Sequence, residues 1–338
     1  MDFWSVGRHT CLILVLGPGA GPWHECTSNR FQRIFVCVAT ALNAAFGVGI
    51  GFSAVDACFS KHAIYRDGFL HVLTTRDGNN RVLPIAWAIC ETESGDTYDW
   101  FADQCYAAGC GRYLNRAHSV VYSDRMKGIE QFFPRFRAYH GYCFKHIIEN
   151  CRRHTKGCGR KFQDQTAWRM LNANSRRGFL HYLGIIRAQS PMAADYFQTK
   201  VNHAHTYQYM LNRNMVATHG FKTSQIVECI NGVFVEARHF TPYHLNNKLC
   251  AWMATQMEKR FEESTAWLRK GKMLTPWARH LLTIEVRSWA WFYIVRVRVA
   301  WGYGHYICMY YIPLLCRLSS PSAQVWKSRP RAPGRCTM

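Results

Sequence analysis

The segments AVDACF (residues 54–59) and VVYSDR (residues 120–125) decide how this 338-residue chain is interpreted. Each is an apolar run that carries a single aspartate, Asp56 in the first segment and Asp124 in the second. Short apolar runs bounded by turn residues are typical of buried strands. A buried strand can deliver a carboxylate to the edge of a sheet. We therefore expect the two aspartates to lie close together if their strands are neighbours.

The composition favours a folded protein with a polyanionic partner. Hydrophobic residues make up 49% of the chain and aromatic residues 14%, which argues against extensive disorder. Lysine and arginine number 42 against 21 aspartates and glutamates, so the formal net charge is +21. This excess suits a nucleic-acid backbone, because neutralising phosphates releases counterions. A basic protein without a nucleic-acid role is the alternative.

Cysteine usage and hydropathy restrict the class of protein further. The fifteen cysteines are scattered without the spacing of a disulfide framework, so we expect mainly reduced thiols in an intracellular protein. The aromatic-rich segment 289–315 is interrupted by Arg296, Arg298 and His305. We therefore expect no membrane-spanning segment and no membrane partner.

The pattern between residues 30 and 150 predicts a mixed α/β sheet. The predicted strands are 51–59, 68–75, 82–91, 119–123 and 138–143. The turn-forming sequence DGNN (77–80) predicts a hairpin between the second and third strands. An amphipathic helix is predicted over 97–108 and a short helix over 127–133.

After residue 143 the chain is predicted to be mainly helical. A helix over 224–238, capped by Thr223 or Ser224, would bury one apolar stripe, formed by Ile226, Ile230, Val233 and Ala237. A second helix over 242–269 would carry a solvated charged face, formed by Glu258, Lys259, Arg260, Glu262 and Glu263. Residues 317–338, basic and rich in proline, are predicted to be a flexible tail.

The two aspartates suit metal-dependent phosphodiester chemistry. In-line displacement needs charge relief on the attacking and leaving oxygens, which two divalent ions held by carboxylates provide. Asp56, within its strand, suits a ligand that bridges two ions from a rigid position. Asp124, just beyond its strand, suits the neighbouring position. The structural alternative is that each aspartate only ends a strand or starts a turn.

The residues alone leave the third carboxylate open. Glu228 lies early on its predicted helix and off the apolar stripe. Glu91 ends a predicted strand, and Glu149 and Glu236 have the character of ordinary surface charges. All four are candidates at this point.

Ordered blocks between residue 30 and about residue 248 resemble the transposases of Mutator-like elements (MULEs). The blocks are RFQRIF (30–35), VDACFSK (55–61), TRDGNN (75–80), PIAWA (84–88), SDRMKGI (123–129) and CFKH (143–146). The segment SQIVECIN (224–231) matches the glutamate and final asparagine of a further family signature. It departs from that signature at Cys229, where serine is usual, and at Gln225, where asparagine is usual.

The resemblance implies an RNase H-like mixed sheet core with a large helical insertion before the final catalytic helix. It implies a DDE-type DNA transposase in which Asp56, Asp124 and Glu228 are catalytic and hold two Mg²⁺ or Mn²⁺ ions. Such an enzyme cuts the element's ends and joins 3′-hydroxyls to target DNA. Transposon ends and target DNA are the implied partners, with a homo-oligomer as the active form and the nucleus as the location.

On this interpretation the chain has five parts. They are a leader of uncertain nature (1–29), the first part of the RNase H-like core (30–150), a helical insertion (151–222), the catalytic glutamate helix with the helices after it (223–285), and an aromatic-rich, then basic, poorly ordered segment (286–338).

Cys143 and His146 form the C-x-x-H pair typical of the family. A thiolate and an imidazole can bind zinc, but structural zinc sites usually have four ligands. Cys151, His154 and Cys158 follow without a firm zinc spacing. A zinc site and a packed pair beside the active site are the two alternatives.

Basic residues near the aspartates and in the insertion are candidate DNA contacts. Arg125 and Lys127 follow closely after Asp124. The segment 152–177 contains Arg152, Arg153, Arg176 and Arg177, with Asp164 as its single acid. We expect these arginines to contact the DNA backbone rather than to form only a solvated helix face.

Two alternatives to an active transposase remain. The zinc-dependent N-terminal domain and the C-terminal SWIM-type zinc finger usual in full-length relatives are not recognisable in the sequence. This motivates an inactive or domesticated DNA-binding remnant of a transposase. A zinc-organised interaction module is the other alternative.

Overall fold

The apolar runs of the sequence form one mixed sheet. Its strands are β1 (Asp2–Ser5), β2 (Cys11–Leu16), β3 (Ile34–Val38), β4 (Phe52–Phe59), β5 (Phe69–Arg76), β6 (Val82–Cys90), β7 (Val120–Ser123) and β8 (Tyr139–Tyr142). Their spatial order is β1-β2-β3-β6-β5-β4-β7-β8. Pairing is antiparallel from β1 to β4 and parallel from β4 through β7 to β8. The predicted α/β class with a mixed sheet is confirmed.

The structure is a computed structural model that describes residues 2–5, 11–16, 33–48, 51–126, 128–156, 161–287, 294–301 and 304–311. The chain divides into two units, Met1–Leu282 and Thr283–Met338. The first unit contains the sheet and nearly all of the helices. The second contains an antiparallel hairpin of β9 (Ile294–Trp301) and β10 (Gly304–Tyr311).

Eleven α-helices lie in the described ranges. They are α1 (Ala39–Val48), α2 (Gly95–Ala107), α3 (Gly111–Leu114), α4 (Phe144–His154), α5 (Asp164–Leu171), α6 (Arg176–Gln189), α7 (Pro191–Asp195), α8 (Gln208–Arg213), α9 (Gln225–Val233), α10 (Pro242–Arg269) and α11 (Pro276–Arg287). Short 3₁₀ helices lie at Ile129–Arg135 and Ala237–His239, and a π-helical turn at Tyr196–Lys200.

Two separate hydrophobic cores hold the first unit together. The larger core packs the sheet against helices that include α2, α9 and α10. The smaller core is formed mainly by helices and runs from Phe144 to Tyr207, across most of the segment that was expected to be an insertion. It begins with α4, so the expected boundary after residue 150 falls inside this helix.

The turn between β5 and β6 fixes the position of α10. Asp77 Oδ1 accepts hydrogen bonds from the backbone N–H groups of Asn79 and Arg81, each at 2.9 Å. Asp77 Oδ2 accepts from Arg81 Nε at 2.9 Å and from Arg260 Nε, on α10, at 3.0 Å. Asn80 has a φ of 63°, which asparagine tolerates better than most residues. The DGNN turn is therefore also a buried ionic anchor.

Most predicted elements are confirmed within two residues. The five predicted strands correspond to β4–β8, and the predicted helices over 97–108 and 242–269 correspond to α2 and α10. The short helix predicted over 127–133 is the 3₁₀ helix Ile129–Arg135. The strand β3 and the helix α1 were not predicted.

Three predictions about helix faces and capping are wrong. The glutamate helix α9 ends at Val233, whose side chain is exposed, so the apolar stripe does not continue to Ala237 as one helix face. Ser224 occupies the N-cap position of α9, as one of the two expected caps, but its side chain makes no capping hydrogen bond. Arg260 does not belong to a solvated face, because its side chain is 12% exposed and paired with Asp77.

The terminal segments contain more regular structure than expected. Strands β1 and β2 lie in the predicted leader, and the hairpin β9–β10 lies in the segment 286–338, which was expected to be poorly ordered. The flexible tail predicted for residues 317–338 lies outside the described residues. None of the helices in the described ranges is both long enough and apolar enough to cross a membrane.

Candidate active site

The two aspartates of the opening segments lie at neighbouring positions, Asp56 within β4 and Asp124 directly after β7. Strand β4 pairs in parallel with β7, with Ala54 opposite Tyr122. Continuing this register by two residues places Asp56 opposite Asp124, on the same face of the sheet. On its other side, Asp56 lies opposite Val72 of β5. The sheet therefore brings together the two carboxylates that the sequence singled out.

The side chain of Asp56 is buried and lies near a second carboxylate, that of Asp124. It is 9% exposed, and its Oδ1 accepts a hydrogen bond from Ala57 N at 2.9 Å. Burial, and secondarily the charge of Asp124, raises the pKa of Asp56 to about 7. Two carboxylates that share a poorly hydrated site disfavour ionisation of one of them. A bound cation would remove this penalty.

Asp124 begins a tight loop that leads into the 3₁₀ helix. Its Oδ1 accepts a hydrogen bond from Met126 N at 2.9 Å, which closes the turn. Four residues later, Gly128 has a φ of 106° and lies against the first residue of α2. A Cβ atom at Gly128 would stand 2.7 Å from Gly95 N. The loop can follow this path because residue 128 has no side chain.

Replacing Gly128 with alanine should destabilise the protein by about 2–4 kcal/mol, because a positive φ and a backbone clash add together. Gly184→Ala is the matched control. Gly184 lies in the interior of α6 with no atom within 4 Å of its would-be Cβ, so alanine should stabilise by about 0.5–1 kcal/mol. Urea unfolding of both variants measures the difference. Equal effects would contradict the loop geometry.

Glu93 is a fourth carboxylate of the site, and it was not among the candidates. It lies between β6 and α2 and accepts a hydrogen bond from the Tyr98 hydroxyl at 2.9 Å. Burial raises its pKa, and the charge of Asp124 adds to the increase. The topology of the sheet explains its position. Strands β4 and β6 run in the same direction, so Glu93, which follows β6, lies at the same edge of the sheet as the end of β4.

Glu228 lies on α9, which packs against β4 and β5. Its Oε2 forms an ion pair with Lys145 Nζ at 2.5 Å, and its Oε1 is 3.6 Å from His146 Nε2. Oε1 is buried and accepts no hydrogen bond from the residues that the structure describes. Glu228 is thus connected to the first turn of α4 rather than directly to the aspartates.

His146 links the glutamate to the aspartates through charge. The pKa of His146 is raised to about 9, mainly because its side chain interacts with the Cys143 thiol. The charges of Asp56 and Asp124 contribute to the increase. Burial would raise the pKa of Cys143, but the contact with His146 outweighs it and the pKa is lowered. The C-x-x-H residues therefore form an interacting thiol–imidazole pair beside the carboxylates.

The oxygen donors of this site suit a hard divalent cation. Asp56 and Asp124 supply adjacent carboxylates, and Glu228 Oε1 is a buried acceptor without a donor, so Mg²⁺ or Mn²⁺ fits the chemistry of the set. No three His, Cys, Asp or Glu side chains in the described ranges are already arranged around a single metal position. Lys145 pairs with Oε2, so Oε1 is the oxygen of Glu228 that is open to an ion.

Cys151 and His154, which were considered as zinc ligands, do not form a metal-holding group with the Cys143–His146 pair in the described part of the chain. Cys151 is buried, with its Sγ 4.0 Å from the carbonyl oxygen of Ala193. His154 packs against the ring of Tyr196, 5.4 Å between centroids. Cys158 lies outside the described residues.

The rival glutamates lie elsewhere. Glu91 accepts hydrogen bonds from Arg33 Nε at 2.9 and 3.0 Å, so it is a structural ion-pair partner. Glu149 is half-buried in the middle of α4, and Glu236 is exposed.

Arg125 does not point freely toward a substrate. Its Nη1 donates to the Lys200 carbonyl at 2.9 Å, and its guanidinium also contacts the Tyr196 hydroxyl. Arg125 therefore joins the Asp124 loop to the helical insertion, which differs from the expected phosphate contact. Lys127, the other candidate in this loop, lies outside the described residues.

The candidate arginines of the insertion are exposed. Arg152 pairs with Asp164 at 2.5 Å. Arg153, Arg176 and Arg177 form no ion pair with the described acids. Arg176 and Arg177 open α6, where the helix dipole disfavours positive charge. These three cations remain available for an external anion.

No protein-family model matches this chain, and no curated protein matches it either. A function for the site therefore has to be inferred from its residues and their geometry.

Proposed function

We propose that this chain is the core of a DDE-type DNA transposase of the Mutator-like kind, which cuts element ends and joins 3′-hydroxyls to target DNA. The observation that carries the proposal is the parallel register of β4 and β7, which sets Asp56 beside Asp124. Rigid, adjacent carboxylates on neighbouring strands are what a two-metal phosphoryl-transfer site needs.

The order of the central strands supports an RNase H-like core. The antiparallel meander β4-β5-β6 has β7 and β8 added in parallel beyond β4. In this order the first and fourth of the five strands are neighbours, which is the placement that the two family aspartates require. The mainly helical stretch α4–α8 between β8 and the glutamate helix α9 agrees with the insertion that the resemblance implies.

Charge supports DNA as the partner. Residues 151–222, the expected insertion, contain twelve lysines and arginines against two aspartates. Exposed cations of this density contribute sequence-independent affinity for a phosphate backbone. Transposon ends and target DNA are the proposed ligands, with a homo-oligomer as the active form and the nucleus as the location.

The side chains of the chain have distinct roles in this proposal. Asp56 and Asp124 would hold the ions, and Glu228 would complete the set. Bound divalent ions supply charge relief to the attacking and leaving oxygens of the phosphodiester. Lys145 would fix the orientation of the Glu228 carboxylate through Oε2, and His146, with Nε2 3.6 Å from Oε1, would lie beside the oxygen that meets the ion. Burial of Asp56 keeps its carboxylate in one orientation.

A nicking assay on supercoiled plasmid tests the proposal. The wild-type chain should nick DNA with Mg²⁺ or Mn²⁺ and not in EDTA, and Glu228→Gln should lose more than ~100-fold of this activity, since even an outer-shell partner of a metal ligand is worth ~10–100-fold. Glu236→Gln removes an equal charge from an exposed position and should nick like wild type.

A non-catalytic DNA-binding protein is the second candidate function. The observation that favours it is the Lys145–Glu228 ion pair, which occupies one oxygen of the third carboxylate. This candidate predicts salt-sensitive DNA binding without nicking under either metal, for the wild type and both variants. The same assay, run beside a binding measurement, separates the two functions.

A further inference from the structure

A cavity of about 490 Å³ opens beside the first turn of α9, the helix that carries Glu228. This volume lies in the range of ligand pockets, ~300–1,000 Å³. The cavity lies where the sheet, α9 and the insertion meet. It is lined by Arg76, Trp168, Asn172, Gly220, Phe221, Lys222, Thr223, Gln225, Ile226 and Cys229.

The two cations of this cavity form no ion pair with the described acids, although the charge of Asp77 acts on Arg76 from the neighbouring position. Arg76 Nη1 donates to the Asn80 carbonyl at 2.6 Å, while its Nε is buried without an acceptor. Lys222 Nζ contacts the neutral side-chain oxygen of Gln208. Burial lowers the pKa of Arg76 and lowers that of Lys222 to about 8. Partly buried cations of this kind are costly unless an anion meets them.

No aspartate or glutamate is among the described residues that line the cavity, so the charge of its lining is positive and favours an anion. The backbone adds to this preference. Ser224 does not cap α9, and the first N–H groups of a helix have no partner within the helix. Gln225 and Ile226, the first two residues of α9, line the cavity together with the two cations. A phosphate group suits such a combination of donors.

One aromatic wall is free to receive a planar group. Phe221 is already stacked on Phe52, with 4.3 Å between ring centroids, and Arg76 lies 4.8 Å above its ring. Trp168 makes one edge contact, with Phe144, at 5.1 Å. The indole is only partly buried, so part of its surface faces the cavity.

We propose that this cavity binds an unpaired nucleotide of a DNA strand, with its phosphate between Arg76 and Lys222 and its base against Trp168. The identity of the ligand as DNA rests on the proposed function. Gln225 and Glu228 are three residues apart on α9, a rise of ~4.5 Å along the helix. A strand anchored in the cavity is therefore held within one helical turn of Glu228. The cavity would position single-stranded DNA next to the carboxylates.

Fluorescence anisotropy without divalent metal tests this site. Affinity is measured for a labelled duplex with a three-nucleotide single-stranded extension and for the matched blunt duplex, and the ratio of the two is the readout. Wild type should prefer the extended duplex by ~10-fold, because one unpaired base can stack on an aromatic side chain and the blunt duplex offers none. Because both affinities come from one preparation, the ratio does not depend on the fraction of folded protein.

Three variants separate the contributions of the two cations, of Trp168 and of overall charge to this preference. Arg76→Gln/Lys222→Gln and Trp168→Leu should each reduce the preference to nearly one. Lys248→Gln removes a charge from an exposed position of α10 and should lower both affinities equally, which leaves the ratio unchanged. A preference that survives in the double variant would overturn the proposal.

Two further arms make the failures distinguishable. Thymidine monophosphate that binds as tightly as the extended duplex would overturn the assignment to a DNA strand and indicate a site for free nucleotides. A cavity-dependent preference in a protein that never nicks plasmid would support this site while the proposed nuclease chemistry fails. Nicking by wild type with no preference for the extended duplex would remove the cavity site and leave the chemistry.

Discussion

Replacing Asp56 with asparagine is expected to abolish metal-dependent DNA nicking and, at the same time, to stabilise the metal-free protein. The substitution keeps the shape of the side chain and one acceptor oxygen for Ala57 N, which is 2.9 Å away. It removes the charge that a divalent ion requires. A loss of more than ~100-fold in nicking is expected, since outer-shell changes alone cost ~10–100-fold.

The gain in stability follows from the sign of the pKa shift. The pKa of Asp56 is about 7 in the fold, above the value of ~3.9 of an unfolded aspartate, because burial penalises its charge. A group with a raised folded pKa contributes stability that is complete below pH ~4 and is lost as the pH rises through 7. In EDTA, the stability of Asp56→Asn relative to wild type should therefore increase between pH 4 and pH 7, by at most about 4 kcal/mol.

Asp67→Asn is the matched control, because Asp67 is exposed and forms no ion pair in the described part of the chain. It should leave both nicking and the pH profile unchanged. Adding Mg²⁺ at pH 8 should raise the unfolding temperature of wild type and not that of Asp56→Asn. Wild-type nicking by Asp56→Asn would refute the metal site. A pH-independent difference in stability would refute the buried carboxylate.

Replacing Asp77 with asparagine is expected to cost about 3–5 kcal/mol of unfolding free energy. The side chains of Asp77 and Arg260 are 11% and 12% exposed, and their charged atoms are 3.0 Å apart. Removing one charge of such a pair leaves the other buried without a partner, which is far costlier than loss of a surface pair. Chemical denaturation at neutral pH measures the change.

A double-mutant cycle identifies the cause. Asp77→Asn combined with Arg260→Met removes both charges and should recover part of the loss, because neither charge is then left unpaired. Asp103→Asn breaks the exposed pair with Arg135 and should change stability little. Additive effects of Asp77→Asn and Arg260→Met would show that the two residues do not stabilise the fold as a pair.

The sheet could be predicted from sequence where the patterns were local. Strands β4–β8 and helix α10 have apolar runs, turn residues or an N-terminal proline that mark their limits. No turn or capping residues of this kind separate strand β3 from helix α1. The apolar run IFVCV (34–38) continues directly into ATALNAAFGV (39–48), where small residues give no clear helical stripe. No turn residue separates the two elements, so neither could be distinguished.

The site could be predicted only in part, because its remaining contacts join distant residues. The aspartates follow from their own strands. Glu93 resembled an ordinary loop residue until the meander brought the end of β6 to the same edge as β4. The burial of Arg260 depends on Asp77, 183 residues earlier in the chain. Contacts at such separations leave no periodic signal in the sequence.

The position of α4 has a consequence for protein engineering. Its buried face belongs to the core of the insertion, yet its first turn supplies Lys145 and His146 to Glu228. Deleting the segment that contains α4 would therefore also change the surroundings of Glu228. A shortened protein in which a linker replaces residues 144–207 would keep all three proposed metal ligands and lose the side chains that orient one of them. A shortened protein that is meant to keep the proposed site should retain α4, with enough of the following helices to cover its apolar face.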